Sequence, residues 1–113
     1  MLHTVAVDGH AGPLVVLKRF GAGNPGMLSF PMPGWSLAID LPARGTETRQ
    51  LANKLDDIVL EAGGRHYLAK DSLMTPETLR RGYQNLDRWL ETKHRVDPGN
   101  LWQSDLSRRL GLT

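Results

Sequence analysis

Lysine, tyrosine, aspartate and serine crowd into one short segment of this chain, Gly64-Arg65-His66-Tyr67-Leu68-Ala69-Lys70-Asp71-Ser72. It lies between two stretches of helical periodicity, so Arg65 to Lys70 reads as a third strand with Lys70 held at its end. A lysine fixed there can serve as a stationary positive charge for an anionic cofactor or transition state. A pre-placed ammonium stabilises developing negative charge without reorganising solvent. Taken alone, such a lysine is more often a solvated surface charge. Tyr67 has two readings as well: a phenol at a site, or a core ring with a hydrogen-bonded hydroxyl. His66 alternates to the opposite side from Tyr67 and is assigned no catalytic role. Asp40 and Asp71 have the chemistry of an acid–base pair, although structural pairing with Arg or Lys is commoner. His3, His10 and His94 show no metal-ligand spacing and are expected in solvent. The chain has no cysteine, and no metal site is assigned.

The elements that must position these groups follow from pattern and punctuation. Leu14 to Phe20 is short, apolar and β-branched, bounded by Gly12-Pro13 and Gly21, and reads as a strand. Residues 21–34 hold four glycines and three prolines and form a loop. Trp35 to Leu41 reads as a second strand with Trp35, Leu37, Ile39 and Leu41 on one face, fit for a core. Ser36, Ala38 and Asp40 share the other face, fit for a cavity floor or for solvent. Thr46 is the expected N-cap of a helix carrying Leu51, Leu55, Ile58, Val59 and Ala62, stopped by Gly63-Gly64. Thr75-Pro76-Glu77 opens a second helix with Leu79, Tyr83, Leu86 and Leu90 on its buried stripe. Asp97-Pro98-Gly99-Asn100 is a turn, and Ser104-Asp105 caps a last short helix ending at Gly111. Trp35, Trp89 and Trp102 are expected to be packing residues.

This order predicts an α+β fold, a small antiparallel sheet with helices on one face. Residues 1–13 form a lead-in that need not be ordered, and 14–113 form one unit. Three strands are few for an independent domain, and their exposed edges call for covering chain. A length of 113 residues allows one domain at most. No window approaches the roughly 20 apolar residues of a membrane helix, no signal segment opens the chain, and a cytoplasmic location is the default. A net charge of +2 does not demand a polyanionic partner. Arg80, Arg81, Arg88, Arg95, Arg108 and Arg109 alternate with Asp87, Glu91, Asp97 and Asp105, which suits a solvated helical surface better than a nucleic-acid site. Gly21-Ala22-Gly23-Asn24-Pro25-Gly26 matches G-x-G-x-x-G, but Pro25, Pro31 and Pro33 oppose the helix that a dinucleotide site requires.

Three collinear blocks carry a family resemblance. The first runs through Val16-Leu17-Lys18-Arg19-Phe20-Gly21, Leu28-Ser29-Phe30-Pro31-Met32-Pro33-Gly34-Trp35 and Ala38-Ile39-Asp40. The second is Gly63-Gly64-Arg65-His66-Tyr67-Leu68-Ala69-Lys70-Asp71. The third joins Val96-Asp97-Pro98 to Ser104-Asp105-Leu106 and Arg108-Arg109-Leu110. Together, over residues 14–112, they resemble the C-terminal region of FAD-linked oxidases of the vanillyl-alcohol oxidase superfamily. The decaprenylphosphoryl-β-D-ribose oxidases and D-arabinono-1,4-lactone oxidases are the nearest in pattern. The resemblance implies part of a substrate, or cap, domain, with FAD bound mainly by a domain not present in this chain. It implies that Tyr67 and Lys70 approach the flavin ring, where Lys70 acts catalytically. It further implies that Ser36 and Ala38 line the substrate pocket. In the ribose oxidases those two places carry an amide residue and a cysteine, so a related sugar, sugar-lactone or polyol oxidase is the expectation. A chain of this extent is expected to be inactive alone and peripheral to the membrane in the parent enzyme. The alternative is a noncatalytic interaction module that pairs through an exposed sheet edge.

Overall fold

The computed structural model describes residues 1–8 and 12–113. Its elements are α1 (Leu2–Asp8), β1 (Val15–Phe20), β2 (Gly34–Ile39), α2 (Thr46–Glu61), a 3-10 turn (Leu68–Lys70), α3 (Pro76–Gly82), α4 (Leu86–Val96) and α5 (Asp105–Leu110). The architecture is α+β, with a two-stranded antiparallel sheet. Helix α1 lies within the stretch read as a lead-in, and its Val5 is buried in the cluster that includes Leu51 and Leu55. His10 lies outside the described residues, whereas His3 and His94 are exposed.

Strands β1 and β2 pair from Val15 opposite Ile39 to Phe20 opposite Gly34. Cross-strand partners share a face, so Val15, Leu17 and Arg19 stand with Ile39, Leu37 and Trp35. Val16, Lys18 and Phe20 stand with Ala38, Ser36 and Gly34. The first set is the large apolar face expected to form a core, and only its Ile39 end is packed, against Val5, Leu51 and Leu55. Leu17 is 56% exposed and Trp35 66%, with the Arg19 guanidinium 5.9 Å from the Trp35 ring centre. The core expectation therefore fails for most of this face, because none of the helices among the described residues reaches across it. Trp102 is likewise exposed rather than packed, while Trp89 is half-buried.

Helix α2 starts one residue earlier than expected. Gly45, at φ 61°, is the N-cap in place of Thr46 and makes no side-chain cap bond. Its end is as read: the Gly63 N–H donates to Leu60 O and the Gly64 N–H to Val59 O, with Gly63 at φ 70°. This is a Schellman termination, whose left-handed position favours glycine. Gly64 is needed for a different reason, since a Cβ there would meet Val59 Cγ1 at 2.9 Å.

Thr75 caps α3 by accepting from the Thr78 N–H, with Pro76 in the first turn. The single second helix expected from the stripe is broken at Tyr83-Gln84-Asn85 into α3 and α4. The apolar spacing persists through the break, so Leu79, Tyr83 and Leu86 remain buried. They form the larger core with Met74, Leu110 and Leu112. Ser104 and Ser107 make a capping box at the start of α5, and Gly111 ends it at φ 65°.

Candidate functional site

Arg65 to Lys70 is not a strand. The chain leaves Gly64 in an irregular run, reaches Tyr67 in an extended conformation, and closes into the 3-10 turn Leu68–Lys70. The Lys70 N–H donates to Tyr67 O at 3.0 Å, so only two residues, Leu68 and Ala69, separate Tyr67 from Lys70 across one tight turn. Among the described residues no strand lies alongside to supply ladder bonds, and local i→i+3 bonding takes their place.

Both ends of this turn are anchored. On the leading side the Arg65 guanidinium donates to Phe30 O (3.1 Å) and Pro31 O (3.3 Å) and lies 5.5 Å from the Tyr83 ring centre. The Tyr83 hydroxyl donates to His66 O at 2.6 Å. Burial pushes the Tyr83 phenol up to about 12, partly opposed by Arg65. On the trailing side Asp71 Oδ1 accepts from the N–H groups of Leu73 and Met74, and Oδ2 pairs with Arg109 at 2.8 Å. Arg109 also donates to Met74 O, which ties the turn to α5. Asp71 is thus a structural anchor rather than half of an acid–base pair, and Asp40 is exposed at the far end of β2.

His66 is fixed as well. Its Nε2 lies 2.9 Å from Asp56 Oδ1, and the Thr78 hydroxyl donates to Asp56 Oδ2. His66 Nδ1 is buried without a hydrogen-bond partner. With one ring nitrogen committed to α2 and the other enclosed, His66 braces the turn and presents no base to solvent.

What the turn does present is Tyr67, 47% exposed, and Lys70, also exposed. Among the described residues the Lys70 ammonium has no ion pair or hydrogen bond. The Tyr67 ring packs on Phe30 at 5.0 Å between centres, and Phe30 meets Phe20 edge-on at 5.6 Å. Phe20 shares a sheet face with Ser36 and Ala38, both partly buried. An aromatic ladder therefore links the Ser36/Ala38 face to the turn carrying Tyr67 and Lys70. Two open clefts lie elsewhere. One of about 520 Å³ is lined by Trp89, Leu101 and Trp102, and one of about 620 Å³ sits at the Arg19/Trp35 end of the hairpin. Neither includes the four sequence-predicted residues.

Sequence reasoning missed Arg65, Tyr83 and Arg109 as anchors. Arg65 follows a helix-stopping glycine pair, a weak signal, whereas no local pattern announces that Arg109 reaches Asp71. Asp97 was missed too: only 7% exposed, it accepts from the Leu101 and Trp102 N–H groups and pairs with Lys93 at 3.1 Å. The Leu101 N–H, chiefly, holds its carboxyl below the usual carboxylate range; burial opposes this and Lys93 adds to it. The Gly21–Gly26 loop simply joins β1 toward β2, with the Gly26 N–H bonded to Asn24 Oδ1, and opens into no helix. No group of side chains among the described residues could hold a metal ion.

The family model described as D-arabinono-1,4-lactone oxidase matches residues 40–110. A Streptomyces coelicolor protein, described as an uncharacterized protein in the mprA 5′ region, is 48% identical over 112 residues, covering 99% of this chain and 30% of that protein. The decaprenylphosphoryl-beta-D-ribose oxidase of Mycolicibacterium smegmatis is 44% identical over 105 residues, covering 93% of this chain and 23% of that protein. The chain thus spans less than a third of the length of either relative.

Proposed function

The chain belongs to the D-arabinono-1,4-lactone oxidase family, and on that premise we propose that it forms part of the substrate domain of an FAD-linked oxidoreductase. The substrate would be a sugar, sugar-lactone or polyol hydroxyl, and the flavin would be held mainly by a polypeptide segment outside these residues. The observation that carries this reading is the doubly anchored turn, which presents Tyr67 and an unpaired Lys70 on the surface that the aromatic ladder joins to Ser36 and Ala38. These residues fit the ring end of a flavin, having an apolar aromatic edge and a free cation. They do not fit its pyrophosphate, because among the described residues no glycine-rich loop opens into a helix.

FAD, when bound, would supply the hydride acceptor for a carbinol carbon. This chain's own part is electrostatic and steric. Lys70 would hold positive charge where negative charge develops, and covering chain would strengthen that interaction by excluding water. Tyr67, braced by Phe30, would pack against the flavin ring and orient it. Ser36 and Ala38 would floor the substrate space, with the Ser36 hydroxyl the polar contact. The proposal includes a cytoplasmic location, peripheral to the membrane in the parent enzyme.

The test is co-expression with a flavin-binding polypeptide of the family, following flavin bleaching with sugar lactones. Lys70→Ala is expected to lose about 10²–10³ in rate, and full activity in that variant rejects the assignment. A second reading, a noncatalytic module that pairs through its sheet edges, is favoured by the exposure of Leu14, Val15, Leu17 and Trp35. Light scattering after size exclusion separates them: a stable monomer that associates with no polypeptide rejects the second.

A further inference from the structure

We propose that Arg65 is the positioning residue of the Tyr67–Lys70 turn, a latch whose fork on the carbonyls of Phe30 and Pro31 sets where the aromatic ladder places Tyr67. The loop from Gly21 to Pro33 is rich in glycine and in proline, which has no N–H to donate. Its carbonyls need donors from elsewhere, and the Arg65 side chain crosses 35 and 34 residues of sequence to supply them. Phe30 contributes its carbonyl to Arg65 and its ring to Tyr67, at 5.0 Å. Moving that one residue therefore moves the ring that Tyr67 leans on.

Guanidinium geometry matters here. Nε and one terminal nitrogen donate to consecutive carbonyls while Cζ sits over the Tyr83 ring, 5.5 Å from its centre, and a lysine ammonium cannot reproduce that fork. Among the described residues no carboxylate pairs with Arg65. Its hydrogen bonds go to the loop carbonyls and its ring contact to Tyr83, so its contacts are with the neighbours of the turn. The close wall behind it, where a Cβ on Gly82 would lie 3.2 Å from Arg65 Cβ, limits where the side chain can start. The catalytic consequence rests on the flavin reading above: a displaced Tyr67 would mis-set the 3-10 turn and the Lys70 ammonium with it.

The test reads Tyr67 directly in the full chain. Only two tyrosines are present, so Tyr83→Phe assigns the ring signals in an NMR spectrum. In folded Arg65→Ala, the Tyr67 ring signals are expected to move toward those of an unstructured tyrosine. The methyl signals of Leu51 and Leu55, in the other core, should stay in place. Added ethylguanidinium should return the Tyr67 signals toward wild type, which a general loss of stability would not permit. Should Arg65→Ala fail to fold, Arg65→Lys keeps the charge and stem without the fork and should show the same displacement. Wild-type Tyr67 signals in either folded variant overturn the proposal. The outcome is independent of flavin: a displaced Tyr67, together with flavin bleaching that ignores Tyr67 and Lys70 variants, would sink the flavin reading and leave the latch standing.

Discussion

Burial and hydrogen bonding set the chemistry of two titratable side chains, Tyr83 and Asp97. Tyr83 is 2% exposed with its phenol raised to about 12. A folded value above the unfolded 10.0 means that this stabilisation is complete below pH 10 and is lost as pH rises through about 12. Alkaline unfolding followed by circular dichroism should therefore steepen between those values, and Tyr83→Phe should flatten it. The same variant should cost about 1–3 kcal/mol at neutral pH, because His66 O loses its buried donor. Asp97 has the opposite sign. Its folded value is lowered, so the stabilisation is present above the unfolded value of 3.8 and is lost as pH falls below it. Acid unfolding should begin below about pH 4, and Asp97→Asn should be less stable at pH 7 yet less sensitive to acid. A wild-type acid profile in that variant would show that other carboxylates carry the transition.

The decisive element is the end of α2. Gly63 must take a left-handed conformation and Gly64 must lie against Val59 for the chain to turn toward Arg65 and the candidate site. Gly64→Ala puts a Cβ within 3.0 Å of Val59 O and should cost about 1–3 kcal/mol, measured by urea unfolding. The glycine pair was legible in the sequence, as were the Thr75 cap, the Ser104 cap and both strands, because each depends on a few adjacent residues. The 65–70 segment was misread because extended conformation and strand share one local pattern, and only a neighbouring strand distinguishes them. The break between α3 and α4 was hidden by apolar spacing that continues through it.

Incomplete burial is the whole-molecule feature. The radius of gyration is 15.3 Å, against about 13 Å for a compact domain of this length. The described residues divide into two separate cores, and an apolar sheet face remains open. A dye that fluoresces on apolar surface should bind the chain, and Trp35→Ser should weaken that binding without lowering stability, since Trp35 is 66% exposed. Unchanged dye binding would place the apolar surface elsewhere, at Leu101 and Trp102. Local pattern alone was enough for the α+β class, the two strands, the end of α2, the start of α3, the bounds of α5 and the family, since periodicity, caps and collinear blocks are local properties. That the large face of β2 stays open depends on long-range packing. The three-dimensional fold alone showed that Lys70 ends a turn rather than a strand, and that Arg65, Tyr83 and Arg109 hold that turn. Those outcomes depend on which distant groups meet, and contacts across some 17 to 38 residues leave no mark in local pattern.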